Sequence, residues 1–251
     1  MWGGVAALLA ACGGGEGSAR APRETAAASV PAGAGASSAP GVANGPTAAG
    51  RSVNSTGGRP TVVFMGTSLT AGYGLDGPAQ AYPALLQRRA DSLGLAVRVV
   101  NAGLSGETSA GALRRVDWVL RGQVDAFVLE TGANDGLRAL DVDATRANIV
   151  AAIRRVRALR PSARVYLVQM EAPPNLGPDY TARFRAVYPA VAKAEGVTLL
   201  PFLLEDVAGR PAFNQPDGMH PTAEGAERVA RTLWPALEPL FRQLDALGER
   251  A

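Results

Sequence analysis

The sequence has few of the residues from which metal sites and disulfides are built. Its 251 residues include one cysteine and one histidine. One cysteine cannot form an intrachain disulfide, and a structural zinc site needs about four nitrogen or sulfur ligands. The carboxylates show no calcium-loop pattern. We therefore expect no metal and no other cofactor.

The chain also has a small net charge, few clusters of like charges and few long hydrophobic runs. The formal net charge is +3, and no run of five or more like charges occurs. This argues against nucleic acid as a partner. The apolar stretch 5–11 is much shorter than the ~20 residues of a membrane span, and no later segment qualifies. Hydrophobic residues make up 47% of the chain, which is enough for a sizeable core.

The single cysteine, Cys12, directly follows the apolar stretch 5–11. The sequence Leu-Ala-Ala-Cys at 9–12 resembles a bacterial lipobox, where the chain is cut before a cysteine that then carries lipid. It departs from a full signal because no Lys or Arg precedes the apolar stretch. The alternative is an Ala-rich tail with a stray cysteine. The resemblance implies a periplasmic or outer-membrane lipoprotein, or a secreted protein, with membrane contact only through Cys12.

Residues 13–59 are mostly Gly, Ala, Ser, Pro and Thr, with hardly any large apolar side chains. Such a segment cannot bury enough surface to offset the entropy of ordering it, so we predict a disordered linker. The chain then divides into a signal-like segment at 1–12, this linker, and one folded domain at 60–248.

Within that domain, short apolar strands alternate with amphipathic helices. Strands are predicted at 61–65, 96–100, 125–130, 165–170 and 197–202, and helices at 79–93, 108–121, 143–159, 180–194 and 222–246. Pro235 and Pro239 are expected to break or kink the last helix. Apolar strands separated by single helices indicate an α/β fold, a three-layer α/β/α sandwich with a parallel sheet. We expect a flavodoxin-like sheet of five strands in the order 2-1-3-4-5.

Polar side chains follow the strand ends, where such sheets place their sites. Ser68 follows the first strand, Gly106 the second, Asn134 the third, and Asp217 with His220 the fifth. Each has a purely structural alternative: a helix cap for the serine, turns for the Gly, Asn and Asp positions, and a structural role for a lone histidine. Their joint position at strand ends favours a site.

The four segments GTSLTAGY, NAGLSGETSAG, TGANDGLR and DGMHP resemble the sequence blocks of the SGNH, or GDSL, hydrolases. The last three are most like the bacterial thioesterase I/lysophospholipase L1/arylesterase branch, and the resemblance to the family covers about residues 61–240. It implies the same α/β/α fold and a carboxylic ester hydrolase.

The resemblance also implies roles for individual residues. Ser68 matches the nucleophile, His220 its base, and Asp217 the acid that orients His220. The N–H groups of Ser68 and Gly106 and the amide of Asn134 match the oxyanion donors. One position departs from the motif: Thr67 stands where the family usually has an Asp that helps to hold the loops around the nucleophile.

The loops 136–140 and 172–178 are expected to form the substrate walls, with Leu137, Pro174 and Leu176 as contacts. Their apolar content favours short- to medium-chain acyl or aryl esters, with thioesters and lysophospholipids left open. Two alternatives remain: an O-deacetylase of envelope carbohydrate with the same triad, and a non-catalytic binding module. The expected partner is a small acyl ester, and a monomer is favoured.

Overall fold

The computed structural model describes residues 58–248. The predicted lipid-bearing Cys12 and linker residues 13–57 lie outside the described residues. The strands are β1 Thr61–Gly66, β2 Arg98–Gly103, β3 Ala126–Leu129, β4 Arg164–Gln169 and β5 Thr198–Phe202. The α-helices are α1 Ser68–Ala71, α2 Tyr82–Ser92, α3 Ser109–Val119, α4 Ala133–Leu137, α5 Val142–Leu159, α6 Pro178–Glu195 and α7 Ala223–Gly248.

The five strands form one parallel sheet in the order β2-β1-β3-β4-β5, which confirms the predicted order. Strands β1 and β3 lie inside the sheet, and all their residues are buried. Met65 of β1 lies between Ala102 of β2 and Leu129 of β3. The carboxyl ends of these strands therefore meet at one edge of the sheet, where the segments that follow them converge.

Helices cover the sheet in two layers because every strand connection crosses over it. Helix α2 packs against α7, and helix α5 packs against both α3 and α6. Each long helix turns an apolar face inward; Ile149, Ile153 and Val156 of α5 are fully buried. The predicted α/β/α sandwich is confirmed. None of the helices within residues 58–248 has the length and apolarity needed to cross a membrane.

The last helix is continuous across both of its prolines and ends two residues later than predicted. Pro235 and Pro239 do not break α7, which continues to Gly248. Both prolines are exposed, so the carbonyl groups that they deprive of an N–H donor can be hydrated. The opposite face of α7 is buried and holds the helix against the sheet, through Leu233, Trp234, Leu237, Leu240, Phe241 and Leu244.

Two local predictions also need correction. The predicted helix 79–93 begins only at Tyr82, because Ala81 is extended after a separate 3₁₀ turn, Pro78–Gln80. The segment 134–136, which suggested a turn, lies inside the short helix α4.

Candidate active site

Ser68 lies where β1 turns into the short helix α1. Gly66 ends the strand, Thr67 is extended (φ −89°, ψ −155°), and Ser68 is the first helical residue. The Thr67 hydroxyl accepts the N–H of Leu69 at 3.3 Å and so caps the helix. Gly72, in the left-handed conformation, ends the helix by donating its N–H to the Ser68 carbonyl at 3.0 Å. This four-residue helix, capped at both ends, presents Ser68 at the carboxyl edge of the sheet.

One hydrogen bond joins Ser68 to the segment that precedes α7, and a second continues from there to Asp217. Ser68 Oγ lies 2.8 Å from His220 Nε2, although the two residues are 152 positions apart. On the other side of the ring, His220 Nδ1 lies 2.6 Å from Asp217 Oδ2. The structure thus brings the three residues matched to a nucleophile, a base and an orienting acid into one hydrogen-bonded chain.

The surroundings of Asp217 determine which ring nitrogen of His220 carries the proton. Partial burial acts to raise the pKa of Asp217, but hydrogen bonds from the backbone and ring of His220 and from the N–H of Met219 outweigh it and lower the pKa to about 2. An ionised carboxylate can only accept hydrogen bonds, so Nδ1 must donate to it. In the neutral imidazole, Nε2 is then free to accept the hydroxyl proton of Ser68.

Two residues to which the sequence assigned no role, Tyr73 and Gln215, also hold His220 in place. The Tyr73 ring lies 4.7 Å from the His220 ring, centroid to centroid. Gln215 donates its backbone N–H to the His220 carbonyl at 2.7 Å. The side-chain amide of Gln215 donates to the carbonyls of Tyr73 and Pro221, at 2.7 and 2.9 Å. Gln215 therefore ties the loop after α1 to the segment that carries His220.

Gly106 and Asn134 lie on adjacent loops. Gly106 has a left-handed backbone, with φ of 77°. The Asn134 amide donates to the carbonyl of Glu107 at 3.0 Å, which fixes it beside the Gly106 loop and leaves its second hydrogen for another acceptor. Asn134 also lines the same cleft as Ser68 and His220. Within the described residues, the N–H groups of Ser68 and Gly106 have no hydrogen-bond acceptor.

Asp135, the neighbour of Asn134, is buried and braces this part of the site. Its carboxylate accepts the N–H and the hydroxyl of Ser109 at 2.8 and 2.5 Å, and the hydroxyl of Thr145 at 3.2 Å. These contacts connect α4 to the first turns of α3 and α5. Contacts among three helices therefore fix the position of the Asn134 amide. A turn at this position, the structural alternative in the sequence analysis, would not include these contacts.

A cleft of about 310 Å³ opens beside Ser68. Two of the predicted substrate contacts, Leu137 and Pro174, line it, whereas Leu176 does not. Leu176 ends a 3₁₀ turn and packs against the hydrophobic core instead. The cleft wall is mainly apolar and includes Leu69, Ala133, Met170, Ala172, Pro173, Phe202, Leu204, Ala208 and Met219.

Taken together, these groups can carry out acyl transfer. A hydroxyl bonded to a neutral imidazole can be activated as a nucleophile, and nearby N–H donors can stabilise a developing oxyanion.

Within residues 58–248, no group of three or more His, Cys, Asp or Glu side chains is arranged to hold a metal ion.

Comparison with protein families and curated proteins gives consistent matches. The GDSL-like lipase/acylhydrolase family matches residues 64–228. Esterase TesA of Pseudomonas aeruginosa is 41% identical over 182 residues, covering 72% of this chain and 89% of that protein. Thioesterase 1/protease 1/lysophospholipase L1 of Escherichia coli K12 is 37% identical over 181 residues, covering 72% of this chain and 84% of that protein.

Solved structures agree with these matches. The crystal structure of TesA has a TM-score of 0.67 and 40% identity, with 72% of this chain and 99% of that chain covered. The crystal structure of AlinE4, an SGNH-hydrolase family esterase, has a TM-score of 0.60 and 37% identity, with 75% of this chain and 98% of that chain covered.

Proposed function

This chain belongs to the GDSL-like lipase/acylhydrolase family and is a carboxylic ester hydrolase, and we propose that it hydrolyses short- to medium-chain acyl or aryl esters through an acyl-enzyme on Ser68. The observation that carries the proposal is the chain of hydrogen bonds from Ser68 Oγ through the His220 ring to Asp217. It unites a nucleophile, a base and an anion beside an apolar cleft.

In the first step, His220 Nε2 takes the proton of Ser68 while Oγ attacks the carbonyl carbon of the ester. The ring becomes an imidazolium, which the carboxylate of Asp217 stabilises at Nδ1. The imidazolium then gives its proton to the leaving alcohol, and the acyl group remains on Ser68. A water molecule, activated by the same Nε2, hydrolyses this acyl-enzyme and releases the acid, and the proton returns to Ser68.

Three donors are proposed for the oxyanion that forms during the attack: the N–H groups of Ser68 and Gly106 and the free hydrogen of the Asn134 amide. Their availability supports this assignment, because each lacks a competing acceptor within the described residues. Removal of one such donor typically costs about 10²–10³ in rate.

The cleft supports an acyl or aryl substrate over a sugar. Its volume of about 310 Å³ is at the lower end of the roughly 300–1,000 Å³ found for small-molecule sites. Apolar side chains such as Leu137, Met170 and Leu204 form most of its wall. They offer an alkyl chain apolar contact but give few partners to the hydroxyl groups of a carbohydrate.

Hydrolysis of p-nitrophenyl esters by the full chain tests the proposal. We expect the parent protein to hydrolyse a series from acetate to dodecanoate with an optimum in the short to medium range. Ser68→Ala should abolish turnover, and His220→Ala should cost nearly as much because the chain has no second histidine. A matching series of acyl-CoA thioesters separates oxyester from thioester preference. Undiminished turnover by Ser68→Ala would overturn the mechanism.

A fluorophosphonate probe tests the non-catalytic alternative. The probe phosphonylates only an activated serine, so the parent protein should be labelled and Ser68→Ala should not. A folded parent protein that resists labelling would instead favour a binding module.

A further inference from the structure

A buried carboxylate that the mechanism does not use lies directly beneath the nucleophile turn. Glu130 follows β3 and is only 1% exposed. Within residues 58–248, no Lys, Arg or His forms an ion pair with it. Because an isolated buried carboxylate is costly, its retention needs specific hydrogen bonds.

Those hydrogen bonds come from the residues on either side of Ser68. Glu130 Oε2 accepts the backbone N–H of Thr67 at 2.7 Å and the Thr67 hydroxyl at 2.9 Å. The same oxygen accepts the hydroxyl of Thr70 at 2.9 Å. One carboxylate oxygen thus receives three donors from a four-residue stretch that contains Ser68.

A second hydrogen bond orients each of the two donating hydroxyl groups. The Thr67 hydroxyl accepts the N–H of Leu69, so its own proton is available for Glu130. The Thr70 hydroxyl lies 2.9 Å from the hydroxyl of Tyr82; since Thr70 donates to Glu130, Tyr82 donates to Thr70. Burial raises the pKa of Tyr82, which keeps this phenol protonated as a donor. Every hydrogen of the network therefore points towards the carboxylate.

The network also fits tightly against the end of β1. A Cβ added at Gly66 would overlap the Thr70 hydroxyl and the Glu130 carboxylate. The absence of a side chain at position 66 therefore lets the carboxylate approach the Gly66–Thr67 peptide, whose N–H it accepts. The next peptide, Thr67–Ser68, carries one of the proposed oxyanion donors, the N–H of Ser68.

We propose that Glu130 is a positioning residue for Ser68: its carboxylate holds the Gly66–Thr67 peptide and the first turn of α1 so that the Ser68 hydroxyl meets His220 and the Ser68 N–H meets the oxyanion. The inference rests on the proposed function. Glu130 touches neither the substrate nor His220, and it acts only through the turn.

The kinetic test compares a pair of matched substitutions in the full chain. Thr70→Val removes a hydroxyl that donates to Glu130, whereas Thr131→Val removes an equally buried hydroxyl that has no partner in the described residues. We expect Thr70→Val to lower kcat at least about 5-fold, within the roughly 100-fold that a misplacement of about 1 Å can cost. KM should stay within about 2-fold, because the substrate cleft is untouched. Thr131→Val should retain the parental kcat.

Glu130→Gln tests the carboxylate itself. We expect it to lower kcat and the rate of phosphonylation of Ser68 by similar factors, larger than the effect of Thr70→Val. Each rate is expressed per folded molecule, determined by circular dichroism, so that a loss of stability alone does not count. Parental rates in both Glu130→Gln and Thr70→Val, or an equal loss in Thr131→Val, would overturn the proposal.

Amide hydrogen exchange provides a readout that does not depend on turnover. The Thr67 N–H should exchange slowly in the parent protein and at least about 10-fold faster in Glu130→Gln, since an amide replaces the carboxyl group that accepts it within residues 58–248. Unchanged exchange at Thr67 would contradict the proposal whether or not the parent hydrolyses esters. An unreactive parent with the expected exchange pattern would instead reject the proposed function and leave the role of Glu130 in the turn supported.

Discussion

Asp217 binds His220 twice, once through each carboxylate oxygen. Oδ1 accepts the backbone N–H of His220 at 3.0 Å, and Oδ2 lies 2.6 Å from the ring nitrogen Nδ1. The two contacts fix both the backbone and the ring of the same residue. The orientation of the imidazole therefore depends on a local turn of four residues, 217–220, whereas its target, Ser68, is distant in sequence.

Asp217→Asn should lower kcat about 10³–10⁴-fold, because an amide can donate to Nδ1 and then favours the wrong tautomer of the ring. Steady-state kinetics with a p-nitrophenyl ester checks this. Asp206→Asn is the control, since Asp206 is an exposed carboxylate that pairs only with Arg210. A kcat for Asp217→Asn within about 10-fold of the parent would show that Asp217 does not set the tautomer.

Asp217 should also contribute to stability in a pH-dependent way. Its pKa of about 2 lies below the usual 3.8, so its contribution is fully present above about pH 5 and is lost as the pH falls through the folded-state value. Urea unfolding at several pH values should show that the difference in unfolding free energy between the parent and Asp217→Asn shrinks towards pH 2. A difference that stays constant over this range would contradict the assignment.

Substitutions of Leu137 and Leu176 together test which residue contacts the acyl chain. Leu137 lines the cleft and is 46% exposed, whereas Leu176 packs against the core. Leu137→Ala should raise KM for an octanoate ester about 3- to 10-fold with little effect on the acetate ester. Leu176→Ala should leave both KM values unchanged and lower the free energy of unfolding by about 1–2 kcal/mol. The reverse pattern would mean that Leu176, not Leu137, contacts the acyl chain.

Thr67→Asp would place a second carboxylate against Glu130, since the Thr67 hydroxyl lies 2.9 Å from it. Two carboxylates at this distance do not both ionise readily, so the folded protein holds a proton that the unfolded chain releases. The free energy of unfolding of Thr67→Asp, relative to the parent, should therefore fall as the pH rises from about 5 to 8.

The control for this substitution is Thr67→Asn, which has nearly the same shape without the charge. Its stability relative to the parent should not change over the same pH range. Measured against Glu130→Gln alone, the double variant Thr67→Asp/Glu130→Gln should show a weaker pH dependence, because the interaction between two carboxyl groups is absent. Identical profiles for Thr67→Asp and Thr67→Asn would exclude a charge interaction with Glu130.

The lipobox-like segment predicts membrane attachment through Cys12. The full chain, expressed in a bacterial host that processes lipoproteins, should sediment with the membrane fraction, and Cys12→Ser should remain in the soluble fraction. Esterase activity and immunodetection of both fractions provide the measurement. Equal distribution of the two proteins would leave Cys12 without this role.

The sequence was sufficient to predict the fold because strand and helix patterns follow directly from burial. The buried runs that became β1 and β3 alternate with amphipathic helices, and the predicted sheet order and the resemblance to the SGNH hydrolases are both confirmed. The break that prolines can cause does not occur in α7. A rule that considers only lost hydrogen bonds ignores the packing of the opposite face. Pro235 and Pro239 are tolerated since they point to solvent.

The site was predictable where residues belong to a motif, and less so where they act through long-range contacts. Ser68, Asp217 and His220 lie in recognisable segments, and the structure brings them together. Gln215 and Glu130 have no local pattern, because their partners lie 142 and 63 positions away. The sequence indicates a role for Glu130 only through the presence of a carboxylate at the end of a predicted buried strand.

The separation of 152 residues between Ser68 and His220 has a consequence for biosynthesis. A nascent chain that has emerged as far as β5 contains the serine, the loops of the proposed oxyanion donors and much of the cleft wall, but no imidazole. Such a chain cannot form an acyl-enzyme by this route, however well its sheet has folded. By the proposed mechanism, the chain therefore becomes reactive only after His220 has been synthesised, and products truncated before His220 should be inert.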